Sequence, residues 1–157
     1  MVQKLLLVTM CVCLVGALIC SGEEENLSGG RTLGVGMQVD FPWGGLVSGR
    51  YWFSPSLGAE GVVFMWGNAE DFSGSLTGRL LYRVSDTPAA DFYLAFGASY
   101  PFSRYGENDA ILSLAGGIEF GFVAARSLAW NVEFGVSTSV AGEINMVFGT
   151  GIHFYFQ

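Results

Sequence analysis

Beyond its first twenty-two residues this 157-residue chain has no cysteine, no lysine and no long apolar run. The missing run excludes a membrane-spanning helix there, because such a helix needs about 20 consecutive apolar residues. Cys11, Cys13 and Cys20 all lie in the N-terminal stretch. The remainder therefore offers neither a disulfide framework nor a cysteine metal site. Charge is scarce as well: 13% of residues are charged, where a soluble domain carries about a quarter. Seven basic residues face 14 acidic ones. No basic stripe exists to displace counterions, which argues against nucleic-acid binding.

What the chain has instead is apolarity without length. Hydrophobic residues make up 51%, aromatics 15%, and there are 23 glycines. The only sustained apolar stretch, Leu5–Ile19, is short for a spanning helix. It follows Lys4 and precedes Cys20-Ser21-Gly22. A positive start, an apolar core and small residues at the −3 and −1 positions form an export signal, with cleavage expected after Gly22. Lipidation of Cys20 is the alternative, but Ile19 is bulky where that signal wants a small residue. Glu23 to Arg31 reads as a flexible polar leader.

From Thr32 onward the sequence alternates with a period of two, broken by turn residues, which is the pattern of strands rather than helices. The expected segments are Thr32–Phe41, Leu46–Phe53, Leu57–Trp66, Ser73–Val84, Asp91–Tyr100, Asp109–Phe120, Leu128–Thr138 and Asn145–Gln157. Pro42-Trp43-Gly44-Gly45, Ser54-Pro55-Ser56 and Ser85-Asp86-Thr87-Pro88 are turns, and Gly67–Phe72 and Pro101–Asn108 are polar loops. About eight strands result. Roughly 16 residues per strand and connection suit tilted spanning strands of about 9–11 residues. The expected architecture is an all-β, antiparallel up-and-down transmembrane barrel over residues 32–157.

Each strand has a bulky apolar face and a small or polar one. In the first, Leu33, Val35, Met37, Val39 and Phe41 oppose Gly34, Gly36, Gln38 and Asp40. A soluble lipocalin-like barrel would turn the bulky face inward. An eight-stranded barrel, however, is only just wide enough to be filled by side chains, so the Gly/Ala/Ser face fits inside and the Phe/Tyr/Trp/Leu face does not. Arg50, Glu60, Arg79, Arg83, Glu119 and Glu133 all share the small face. Arginine at mid-bilayer on the lipid side would cost about 2–4 kcal/mol. These six residues are expected to form an ion-pair network in the lumen. Counting from the turns joins Arg50/Glu60 with Arg83/Glu119 and puts Arg79/Glu133 higher.

The last strand carries the most specific pattern. Gly149, Gly151, Phe154 and Phe156 resemble the C-terminal signal read by the outer-membrane assembly machinery. Together with Gly49–Gly58 they make the chain similar to small outer-membrane barrels of the OmpA/OmpX kind. Gln157 departs from the pattern by following the last aromatic. The resemblance implies outer-membrane localisation, contact with outer-membrane lipid and lipopolysaccharide, assembly by the barrel machinery, and a monomer without cofactor or metal. No peptidoglycan-binding domain of the kind longer relatives carry is expected. Both termini would be periplasmic. Trp43, Tyr100 and Phe102 would then lie near the outer interface, and Tyr51, Phe53, Tyr82, Phe92, Trp130, Phe154 and Phe156 near the inner one.

A structural or surface-interaction role in the envelope, without turnover, follows from the short loops and the filled lumen. A narrow solute channel is the alternative. Lipid-modifying catalysis ranks below both, because His153 is the only histidine and is expected to face inward, with no convincing nucleophile and base beside it. The glycine pairs and triplets are not phosphate loops, since none leads from a strand into a helix.

Overall fold

The computed structural model describes residues 31–41, 45–68, 72–86, 90–103, 109–122 and 125–156. The export signal at Met1–Gly22, the leader as far as Gly30, Trp43, Pro88, the centre of the Pro101–Asn108 loop and Gln157 lie outside the described residues.

Eight strands follow one another: β1 (Leu33–Phe41), β2 (Val47–Trp52), β3 (Leu57–Gly67), β4 (Phe72–Asp86), β5 (Ala90–Ser103), β6 (Ile111–Phe122), β7 (Ala125–Ser139) and β8 (Ile144–Phe156). Each pairs antiparallel with the next, and β8 returns to β1 to close the barrel. Closure leaves no unpaired outer strand, so the edge problem of an open sheet does not arise. The fold is all-β and up-and-down, as the alternation implied. Most boundaries shift by one to three residues from the sequence reading, and three of the shifts have a visible partner or cause. Phe72 belongs to β4 and stacks on Phe102, which with Pro101 extends β5 to Ser103. Strand β7 begins at Ala125 rather than Leu128, after an irregularity at Gly121/Phe122.

The register fixes the tilt. Followed the long way round, Gly34 leads through Arg50, Glu60, Arg79, Gly97, Ser113 and Ser137 to Asn145; across the closing pair it meets Tyr155 instead. The stagger is 155 − 145 = 10 residues along β8. With strands about 4.8 Å apart and about 3.3 Å per residue, that corresponds to a tilt of about 40°.

Short turns join the strands where they are described. Phe53 N–H donates to the Leu57 carbonyl at 2.9 Å, and the Ser54 hydroxyl accepts from Leu57 N–H at 3.0 Å. At the opposite end of the barrel, Gly142 has φ of 90°, a left-handed conformation that favours glycine, and closes the turn between β7 and β8.

Side chains sort by parity. Phe96, Phe134 and Phe154 point outward with 53%, 59% and 48% exposure, whereas Arg50, Glu60 and Glu133 are buried inside at 0%, 3% and 0%. Among the described residues, thirty-two large apolar or aromatic side chains are exposed, against nine apolar side chains that are buried. The barrel therefore has its polar residues inside and its apolar ones outside. Allowing for the stagger, Tyr51, Tyr82, Phe92, Phe120, Trp130 and Phe154 fall at one level near the Ser54 turn. Phe41, Trp66, Tyr100 and Phe102 lie near the other end.

Candidate functional site

Among the described residues the interior is where polar chemistry is concentrated, and the strand register builds it. Arg50, Glu60 and Arg79 are direct cross-strand partners on β2, β3 and β4. Their parity sends all three inward, where opposite charges on adjacent strands attract. Glu60 accepts from Arg50 Nη2 at 3.1 Å and from Arg79 Nε at 3.1 Å; Arg79 Nη2 also reaches it. From the far wall, β6 supplies Glu119, 2.5 Å from Arg50 Nη1, and β7 supplies Glu133, which Arg79 Nη1 contacts. Two guanidinium groups thus tie five strands together across the barrel axis. Planar guanidinium groups, with five donors each, are suited to this bridging.

Neutral groups complete the network. Tyr93 O–H donates to Glu133 at 2.6 Å, and Tyr155 O–H to Glu119 at 2.9 Å. Asn131 Nδ2 donates to Gln38 Oε1 at 3.0 Å and to Glu133 Oε1 at 3.1 Å, and Gln38 Nε2 donates to Asp40 at 2.9 Å. Asp40 lies 3.8 Å from Arg79. Gly117 makes room for Tyr93, since a Cβ there would collide with the phenol ring. Above Arg79 the interior changes character, with Ser75, Thr77, Ser99 and Ser137 buried and a 2.8 Å hydrogen bond between Thr77 and Ser99.

Arg83 does not join Glu119. Its guanidinium lies 3.9 Å from the centre of the Trp52 ring, donates to the Pro55 carbonyl at 2.9 Å and sits 3.5 Å from Asp91. The reason is geometric: counting residues from a turn gives a depth but no direction around the barrel. Asp91 on the neighbouring strand is nearer, and Glu119 is held by Arg50. Arg31, read as the end of the leader, instead reaches into the barrel mouth, 3.8 Å from Glu119 and 5.7 Å from the centre of the Tyr155 ring.

The remaining residues singled out from the sequence are on β8. Gly149 and Gly151 face inward against Asp40, Gln38 and Asn131, while Phe154 and Phe156 face outward, edge to face at 5.4 Å. No known family model matches the chain, and no curated protein matches it significantly.

Ser48, His153 and Glu60 invite comparison with a hydrolytic triad. Ser48 Oγ is 2.9 Å from His153 Nε2, and Glu60 Oε1 is 3.1 Å from that same nitrogen. A triad needs the hydroxyl on one ring nitrogen and the carboxylate on the other, so that the ring passes a proton between them. Here both partners use Nε2, and Ser48 donates straight to Glu60 at 2.5 Å. All three side chains are sealed in the barrel. The arrangement locks β2, β3 and β8 together and has no route for a relay.

Sequence reasoning missed Gln38, Tyr93, Asn131 and Tyr155 as network members. Their parity was legible: Asn131 is one step from outward Trp130, and Tyr93 one step from Phe92. What hid the tyrosines was the argument that only small residues fit inside. Tyr93, Tyr155 and Trp52 are in fact almost fully buried there.

Proposed function

We propose that this chain is an integral outer-membrane β-barrel, similar in kind to the small OmpA/OmpX-like barrels, with a structural or surface-interaction role in the cell envelope and no turnover. The observation that carries the reading is the outward belt. No Asp, Glu, Lys, Arg or His with a described side chain faces outward along the strands, while apolar and aromatic side chains cover that surface. In water, each exposed large apolar side chain would forgo up to about 1.5–3 kcal/mol of burial. Summed over the belt, this is tens of kcal/mol, which no soluble domain of this size leaves unused. On β5 the outward residues run from Phe92 to Phe102. Those ten steps, at about 3.3 Å each and about 40° of tilt, span about 25 Å, the height of an outer-membrane apolar band. The two levels of aromatic residues match the girdles of such barrels.

Thr150 supports the same reading. It faces outward in mid-strand, yet its hydroxyl donates to the Asn131 carbonyl and accepts from Trp130 Nε1, each at 2.9 Å. Lipid offers a hydroxyl no partner, so a lipid-facing threonine has to be satisfied within the wall.

The filled interior favours the structural role over the channel. Charged and aromatic side chains meet across the axis, and Arg50, Glu60, Glu133 and His153 are closed to solvent. Outer-membrane lipid, lipopolysaccharide and the assembly machinery are the proposed partners, the last through Gly149, Gly151, Phe154 and Phe156. Envelope fractionation with gel electrophoresis of unboiled and boiled samples tests the assignment. A fast-migrating unboiled species in the outer-membrane fraction is expected; a soluble periplasmic protein with one mobility would overturn it.

A further inference from the structure

Strands β1 and β8 close the barrel, and theirs is the pairing whose register no connection sets. Every other pair joins consecutive strands, and in a hairpin the turn fixes the register. Closure does not choose either. A slip of two residues at the seam keeps every side chain on its own face and changes the stagger from 10 to about 8 or about 12. The tilt would then be about 35° or about 46°, near the limits of the usual barrel range. The outer face is indifferent as well: Val35 faces Phe154, Met37 faces Ile152 and Phe41 faces Phe148, apolar on apolar.

The inner face is keyed. Its facing pairs are Gly34/Tyr155, Gly36/His153, Gln38/Gly151 and Asp40/Gly149, each a glycine opposite a larger side chain. A Cβ at Gly34 would strike the Tyr155 ring, and one at Gly149 would strike the Asp40 carboxylate. Two of the larger side chains cross the seam in opposite directions. His153 leaves β8, passes over β1 at Gly36 and reaches Ser48 on β2 at 2.9 Å. Gln38 leaves β1 and passes over β8 at Gly151, where its Oε1 accepts from Asn131 Nδ2 on β7 at 3.0 Å. A Cβ at Gly151 would collide with Gln38 Oε1, and one at Gly36 with the β8 backbone.

We propose that this glycine-against-large pattern sets the register of the closing seam, with His153 and Gln38 as its two cross-bolts. A two-residue slip in one direction sets Gly36 against Gly151 and leaves a gap. In the other direction it sets Gln38 against His153, two large side chains in one space. Gly149 and Gly151, whatever the assembly machinery reads in them, thus have a task inside the finished wall. The inference rests on the fold and is independent of what covers the outer face.

Substitutions that move the key should move the register. Gln38→Gly leaves two glycines facing in the native register, and the slip that pairs Gly36 with Tyr155 and Asp40 with Gly151 restores the pattern. Gly151→Gln crowds the native register, and the opposite slip, pairing Gly34 with His153 and Gln38 with Gly149, restores it. Engineered cysteine pairs read the outcome in the full chain refolded into detergent micelles, with Cys11, Cys13 and Cys20 changed to serine. Val35→Cys with Phe154→Cys reports the native register. With Phe156→Cys or Ile152→Cys it reports the two slips, because a disulfide needs Cα atoms within about 7 Å. Gln38→Gly should shift disulfide formation several-fold toward the Phe156 pair, and Gly151→Gln toward the Ile152 pair. The double variant should return it to the Phe154 pair. Native pairing in a single variant that refolds would overturn the proposal. If neither single variant refolds, recovery of the double variant supports it, and failure of the double variant overturns it.

Discussion

Arg50 and Glu60 face each other across the β2–β3 ladder and bond at 3.1 Å inside the barrel, both with side chains at 0% exposure. Each also has a second partner of opposite charge, Glu119 for Arg50 and Arg79 for Glu60. Removing one member strands the others without solvent to replace it. Arg50→Ala is therefore expected to destabilise the barrel by about 3–5 kcal/mol, the usual penalty for breaking a buried pair from one side. Urea unfolding in detergent or lipid, followed by tryptophan fluorescence, measures it. A loss below about 1 kcal/mol would contradict the network.

A charge placed outward probes the opposite face. Phe134→Arg puts a guanidinium in mid-belt, which in a bilayer should cost about 2–4 kcal/mol. Phe134→Leu should cost far less. Refolding yield and unfolding midpoint in lipid vesicles distinguish the two. A barrel surrounded by water would tolerate the arginine and become more soluble.

Tyr93 is expected to act through its hydroxyl. Tyr93→Phe keeps the ring over Gly117 and beside Arg50, 5.1 Å from the guanidinium carbon. It deletes the bond to Glu133 and the one accepted from Asn131. A loss of about 1–3 kcal/mol is expected, because buried partners are left unsatisfied. Unfolding free energy checks it, and an unchanged value would show that the tyrosine serves only to fill space.

The cross-linked interior should not conduct. Planar-bilayer recordings of the refolded protein are expected to give a flat trace. Discrete, reproducible conductance steps would favour the channel.

How much of this was legible in the sequence varies with the physics involved. Strands and their faces were readable because a period of two survives without any knowledge of neighbours: Leu33 to Phe41 alternates out and in, and the structure does the same. Boundaries blurred where tertiary pairing extended a strand past its turn signal, as at Pro101 and Phe102, which ride on β4 through Ser75 and Gly74. The presence of inward Arg50, Glu60, Arg79, Glu119 and Glu133 followed from parity, but the choice of partners did not. Arg83 turning to Trp52 and Asp91 depends on the ten-residue stagger, a property of closure that no single strand encodes. Arg31 entering the mouth likewise depends on space left by Gly121, where a Cβ would meet the guanidinium.

The most direct measurement places two tryptophans in their surroundings. Trp130 is 41% exposed on the belt and Trp52 1% exposed within the barrel. In vesicles containing brominated lipid, a variant whose sole tryptophan is Trp130 should be strongly quenched. One with only Trp52 should be quenched little, and aqueous iodide should reach neither. Quenching of Trp130 by iodide, with indifference to brominated lipid, would show its face turned to water and contradict the membrane reading.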